Sequence, residues 1–140
     1  RHYPEITFFI CPSRRTHDSK QNLCHAMEGH ANILSVDYNE AVNGYNPYIG
    51  LLASADHIVI VGHSHSMLSE ALFTGKNVYV TDIVFGYKSL KNDGYVSNLE
   101  TLSPGEQFPT RAMPPLDLTR SVAESIVRRY KEKREASLSL

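Results

Sequence analysis

The chain has no surplus of charge of either sign, few cysteines and no long apolar run, and each shortage removes a class of function. Lys and Arg number 14 against 15 Asp and Glu, giving a formal net charge of -1 and a pI near 6.7. Without a basic surplus there is no electrostatic footprint for nucleic acid. No stretch reaches the roughly 18 consecutive apolar residues of a membrane span. None has the charged start and apolar core of a signal peptide. The two cysteines, Cys11 and Cys24, lack metal-ligand spacing and read as reduced thiols of a cytoplasmic protein. No repeat and no low-complexity tract is visible. The 140 residues suit one domain with a real core. The first residue is Arg1 rather than Met, so a piece of a longer protein is expected.

What is present is organised around Ala53 to Asp82. His57 to Val61 (HIVIV) is β-branched and apolar without alternation, the pattern of a strand buried on both faces. Gly62 to Ser66 (GHSHS) breaks it. Met67, Leu68, Ala71 and Leu72 recur at helical spacing, and Gly75 stands where a helix C′ glycine belongs. Asn77 to Thr81 (NVYVT) is a second buried strand. Two parallel strands joined by a helix form a βαβ unit, whose ligands sit at the carboxyl ends of the strands.

Upstream, Ile6 to Ile10 and Ile33 to Val36 read as strands. Between them the polar loop CPSRRTHD leads to a helix capped by Asp18, with Leu23, Ala26 and Met27 inward and Gly29 closing it. Asn46-Pro47 starts a short helix as N-cap and N1, with Ile49, Leu52 and Ala53 inward. Downstream, Tyr87 to Asn92 makes one or two helical turns ended by Gly94. Tyr95 to Pro115 carries Pro104, Pro109, Pro114 and Pro115 and is expected to be mostly irregular. Asp117 or Thr119 caps a last helix, with Val122, Ile126, Val127 and Tyr130 on one face. Its charged end, RRYKEKRE, is a solvated helix face, because glutamates interleave the basic residues.

Alternating strands and helices imply an α/β domain: an open parallel sheet with helices on both faces. The expected organisation is a single domain over residues 1–135 with a frayed tail at 136–140. With the first strand central, the order 2-1-3-4 puts a switch point between strands one and three. The loops CPSRRTHD and GHSHS then face each other across one crevice.

Those loops carry the chemistry. Ser64 and Ser66 stand where a strand turns into a helix, whose first amides and dipole favour a phosphate. Plain N-capping by one serine explains them equally simply. Arg14 and Arg15 can fork onto phosphate oxygens, or pair with surface carboxylates. Glu70, at N4 if Ser66 is the cap, either offsets the helix dipole or accepts from two ribose hydroxyls. GHSHS also approaches the G-x-S-x-G nucleophile elbow. That triad runs Ser, acid, His, and no histidine follows His65. His63 and His65 form H-x-H, but no Asp or Cys at nearby spacing completes a metal cluster.

SRRT at Ser13 to Thr16, NPY at Asn46 to Tyr48, Ala55-Asp56 before a buried strand, and SHSMLSEALFTGKNVYV at Ser64 to Val80 together resemble the mitochondrial-fission (elongated-mitochondria) family. The match runs from about Ile6 to Tyr130 and corresponds to that family's C-terminal half. More distantly, S-x-x-SEA-x-x-x-GK is similar to the nucleotide-binding half of GT-B glycosyltransferases. The resemblance implies a Rossmann-like fold that binds a nucleoside-diphosphate sugar, with no further cofactor and no metal. It places Ser13, Arg14, Arg15 and Thr16, with Ser64, Ser66 and the Met67 amide, on the diphosphate, and Glu70 on the ribose. It implies a partner N-terminal Rossmann-like domain absent from this sequence. It also leaves a non-enzymatic adaptor as the alternative. Two positions depart from the family pattern: His63 stands where Asp is usual, and His65 where a small apolar residue is usual.

Overall fold

The computed structural model describes residues 5–11, 33–35, 44–62, 64–81, 87–110 and 113–138. The chain divides into two compact units, Arg1–Ala55 with Ser103–Gln107, and Asp56–Leu102 with Phe108–Leu140.

In the first unit, β1 (Phe8–Ile10) pairs parallel with β2 (Ile33–Ser35), Phe8 opposite Ile33. Phe9 and Leu34 are half exposed. Helix α1 (Tyr48–Ser54) begins one residue later than expected: Pro47 is its N-cap and its carbonyl takes the first helical bond, while the Asn46 Oδ1 accepts from the Tyr48 amide at 2.9 Å. The inward packing expected of Ile49 is absent. It is 66% exposed, and α1 buries no residue completely. The first expected helix, with Asp18 and Gly29, lies outside the described residues.

The second unit holds the core. Strands β3 (His57–Ile60), β4 (Asn77–Val80) and β5 (Val96–Asn98) form a parallel sheet with β4 central. Helix α2 (His65–Phe73) crosses from β3 to β4 and packs on β3. Its buried face is Leu68, Ala71 and Leu72. Helix α3 (Lys88–Asn92) packs on β5. It closes with Gly94 donating to Lys91 and Tyr95 donating to the Leu90 carbonyl, a Schellman-type end. Val78, Tyr79 and Val80 are buried throughout, so β4 is covered on both faces. Around Tyr79, the rings of His57 and Phe108 gather at 6.0 and 5.2 Å, and the Tyr79 hydroxyl donates to the Pro109 carbonyl at 3.1 Å. The proline-rich segment is thereby fastened to the sheet. A second tie runs from the Leu116 amide to the Leu72 carbonyl at 3.1 Å.

Asp117 caps the last helix, α4 (Leu118–Leu138): its carboxylate accepts from the Arg120 amide at 2.8 Å. Helix α4 runs to Leu138, through part of the expected tail at 136–140.

The architecture is α/β with parallel strands, as expected, but several particulars differ. The described strands form two sheets, β1-β2 and β3-β4-β5, instead of one sheet in the order 2-1-3-4. Strand β5 falls in a stretch expected to be mostly irregular. Only Val96 in it is buried, and its stability comes from pairing with β4. The unalternating β3 is not buried on both faces: Ile58 and Ile60 are inside, while Val59 is 38% exposed. The apolar stripe of α4 is also open, with Val122, Ile126, Val127 and Tyr130 all exposed.

Gly75 (φ 71°) is held by two constraints at once. It lies in the left-handed region, and an added Cβ would meet the Met113 carbonyl oxygen at 3.1 Å and Pro115 Cγ at 3.2 Å. Gly62 (φ 85°) shares the backbone constraint, but a Cβ there meets nothing within 4 Å. Gly62→Ala should therefore cost about 1–2 kcal/mol, the left-handed penalty alone. Gly75→Ala should cost more, because the segment around Pro115 must also shift. Urea denaturation of both variants checks the order.

Burial raises the Tyr79 and Tyr87 phenol pKa values above the ordinary one near 10. The folded chain then keeps protons that the unfolded chain releases. Their contribution is complete below about pH 10 and is lost as pH rises above it. Stability measured from pH 8 to pH 11 should fall only at the upper end, and Tyr87→Phe should flatten that fall.

Candidate functional site

The site is built within the second unit, at the carboxyl ends of β3 and β4. The ladder between these strands continues one residue past β4, with the Thr81 amide donating to the Ile60 carbonyl at 3.3 Å. Gly62 then turns the chain, and its amide donates to the Thr81 Oγ1 at 3.5 Å. The loop after β3 is thus pinned to the end of β4, and this fixes where α2 begins.

Ser64 is the N-cap of α2. Its backbone is extended (φ -90°, ψ 98°), and its Oγ accepts from the Met67 amide at 3.4 Å. Its carbonyl accepts the first helical bond, from Leu68 at 3.0 Å. The cap is therefore two residues earlier than Ser66. Both serines satisfy the residue preference of a cap, and the turn imposed by Gly62 selects the first. With that frame His65, Ser66 and Met67 are N1 to N3, and Glu70 is N6 rather than N4. The helix dipole acts mainly over the first turn, so dipole compensation is a weak account of Glu70.

The remaining sequence-identified groups divide clearly. Ser66 and Glu70 lie four residues apart on one face of α2, both exposed, while Met67 is half-buried. Their separation along the axis is about 6 Å. The amides of His65 and Ser66 belong to the first turn, where a helix supplies no acceptor of its own. Ser13, Arg14, Arg15, Thr16 and His63 lie outside the described residues, as does the crevice expected between the two loops. Ser64 does not adopt the strained backbone of a nucleophile elbow, and only glycines have positive φ among the described residues. Among the described residues no three His, Cys, Asp or Glu side chains gather as a metal site would require.

Two residues at this edge were missed from sequence. Thr81 ends a predicted strand and looked like no more than its last residue. Tyr87 was read only as a helix start. In the structure it is 1% exposed, its ring meets that of His65 edge-on at 5.4 Å, and its hydroxyl is buried without a hydrogen-bond partner. Away from this edge, two open grooves run along α4, one past Val127 and Lys131 and one past Val122 and Ile126. They are formed by side chains of that one helix and converge no polar groups on a point. No helix among the described residues is long and apolar enough to cross a membrane.

The cap assignment is testable by stability. Ser64→Ala should cost about 0.5–2 kcal/mol, whereas Ser66→Ala should stay within about 0.5 kcal/mol. The reverse order in thermal or urea unfolding would place the cap at Ser66.

Residues 1–130 match a family model described as Mitochondrial fission ELM1. An uncharacterized protein of Rickettsia prowazekii (strain Madrid E), RP120, is 30% identical over 131 residues. The match covers 86% of this chain and 36% of that protein, so the chain spans about a third of the relative's length. No solved structure matches significantly.

Proposed function

The chain belongs to the mitochondrial fission ELM1 family, and from that premise we propose that its second unit binds a nucleoside-diphosphate sugar in the manner of a GT-B-like glycosyltransferase half. The observation that carries this reading is the start of α2. First-turn amides stand at the carboxyl edge of a parallel sheet, and the exposed carboxylate of Glu70 follows one turn along the same face as Ser66. In this reading the diphosphate rests on the His65 and Ser66 amides and the Ser66 hydroxyl, since the Met67 amide that the resemblance assigns to it is taken by the Ser64 cap. Ser64 holds the helix start in place. Glu70 accepts from the ribose hydroxyls about 6 Å further on. The family resemblance assigns the neutralising charge and hydroxyls to Ser13, Arg14, Arg15 and Thr16. Stabilising a departing diphosphate is the chemical contribution such a half can make. The acceptor site belongs to a partner domain.

The test is thermal melting with pyrophosphate, nucleoside diphosphates and nucleotide sugars. A ligand at about 100 times its Kd should stabilise by about 2.7 kcal/mol. Glu70→Gln should then lose about 1.5–3 kcal/mol of nucleotide affinity, the scale of a charge-assisted hydrogen bond. Pyrophosphate binding should be nearly spared. Equal losses for both ligands would remove the ribose role from Glu70.

A non-enzymatic adaptor is the second reading. The exposed apolar stripe of α4 favours it, since contiguous apolar surface marks contact with another macromolecule or another part of a longer chain. It expects no stabilisation by any nucleotide or by pyrophosphate.

A further inference from the structure

We propose that α4 docks on an anionic lipid surface, lying in its plane with the apolar stripe at the acyl boundary and the cations beside that stripe on the headgroup phosphates. None of the residues at the start of α2 takes part, so the nucleotide-binding reading can fail without it. Two observations carry it. The first is that α4 is bare. From Leu118 to Ser137 no side chain is buried, and only Ser125 is half-buried. Most helical stability in proteins comes from packing an amphipathic face. In α4 that face, Leu118, Val122, Ile126, Val127 and Tyr130, is exposed along its whole length.

The second observation is how the charges are sorted around the helix. With Ile126 at the centre, the other four stripe residues fall within about 100° of it. Arg129, Lys133 and Arg134 fall within about 80°, beside the stripe. Glu124, Glu132 and Glu135, the three glutamates of α4, all fall about 120° or more away. On that far side they stand at i, i+4 spacing to Arg128 and Lys131. Ordinary solvation explains the far side. It does not explain cations without a carboxylate along an apolar stripe. Arg and Lys stems lie along apolar surface and carry their charge outward, the arrangement of an interfacial helix. Charge complementarity then selects the occupant. A second copy on the stripe would bring Arg129, Lys133 and Arg134 of both chains into one interface without an acid. Lipid phosphates supply the missing negative charge. This helix lies on the surface, and no helix among the described residues is long and apolar enough to cross a membrane.

The experiment is co-sedimentation of the chain with vesicles of phosphatidylcholine, and with vesicles of phosphatidylcholine and phosphatidylglycerol in equal parts. The expected result is binding to the anionic vesicles only, weakening as ionic strength rises from about 0.1 M to about 1 M. Arg129→Gln with Lys133→Gln should weaken binding roughly thirtyfold, and Ile126→Gln roughly tenfold. Arg128→Gln with Lys131→Gln makes the same change of net charge on the far face. It should weaken binding about threefold or less, because the width of the helix, about 10 Å, is one screening length. Every substituted position is exposed and Gln is a good helix former, so circular dichroism should not change. Equal losses from the two charge pairs would overturn the docking face, leaving only attraction by net charge. Absence of binding to the anionic vesicles would overturn the proposal outright. The stripe would then belong to a second copy if the chain sediments as a dimer that Ile126→Gln dissociates, and to another protein segment if it sediments as a monomer.

Discussion

The second unit depends on the complete burial of one short strand. β4 contributes Val78, Tyr79 and Val80, none more than 3% exposed, with parallel neighbours on both sides. A parallel pair cannot be joined by a tight turn, so the chain must leave the sheet and return by a crossover. From β3 to β4 that crossover is α2, and its buried residues are the ones that cover the sheet. The start of α2 is then determined by where β3 stops and how far Gly62 can turn. The link from Gly62 to Thr81 closes this arrangement at the strand ends. The position of the candidate site is therefore a consequence of core packing, and the polar residues there occupy a place the apolar ones define.

The legible part of the fold was the part with dense local signals. HIVIV, the helical spacing from Met67 to Leu72, Gly75 and NVYVT each point to one element, and those elements exist. Asp117 was legible as a cap because an acidic residue precedes a periodic stretch. β5 was not legible, because a three-residue strand with one buried side chain has no period to detect. Its existence is a tertiary fact: the open edge of β4 recruits it. The separation into two small sheets was equally hidden, since apolar runs announce strands but not their neighbours. An apolar stripe also says only that a face prefers burial. In α4 the stripe is present and open, so its pattern could not reveal whether anything covers it.

At the candidate site the sequence left the helix frame open between two serines, and the structure makes Ser64 the cap. Ser64 and Ser66 are interchangeable by residue preference, and only the geometry after Gly62 separates them. The two-residue shift matters because it carries Glu70 into the second turn. There the dipole is a weak reason for a carboxylate, while Ser66 and Glu70 still share a face. Thr81 and Tyr87 had no motif to mark them. Thr81 matters through the C-terminal end of β4 meeting the loop that leaves β3, a relation between residues 19 apart, and Tyr87 through its ring contact with His65.

The departure at His65 has a physical consequence in this frame. The family resemblance places a small apolar residue there, and such a residue would leave the edge of the Tyr87 ring uncovered. The imidazole instead packs edge-on against that ring while remaining exposed itself. Contact area is gained at the first turn of α2, so the substitution ties the helix start to the segment that carries Tyr87.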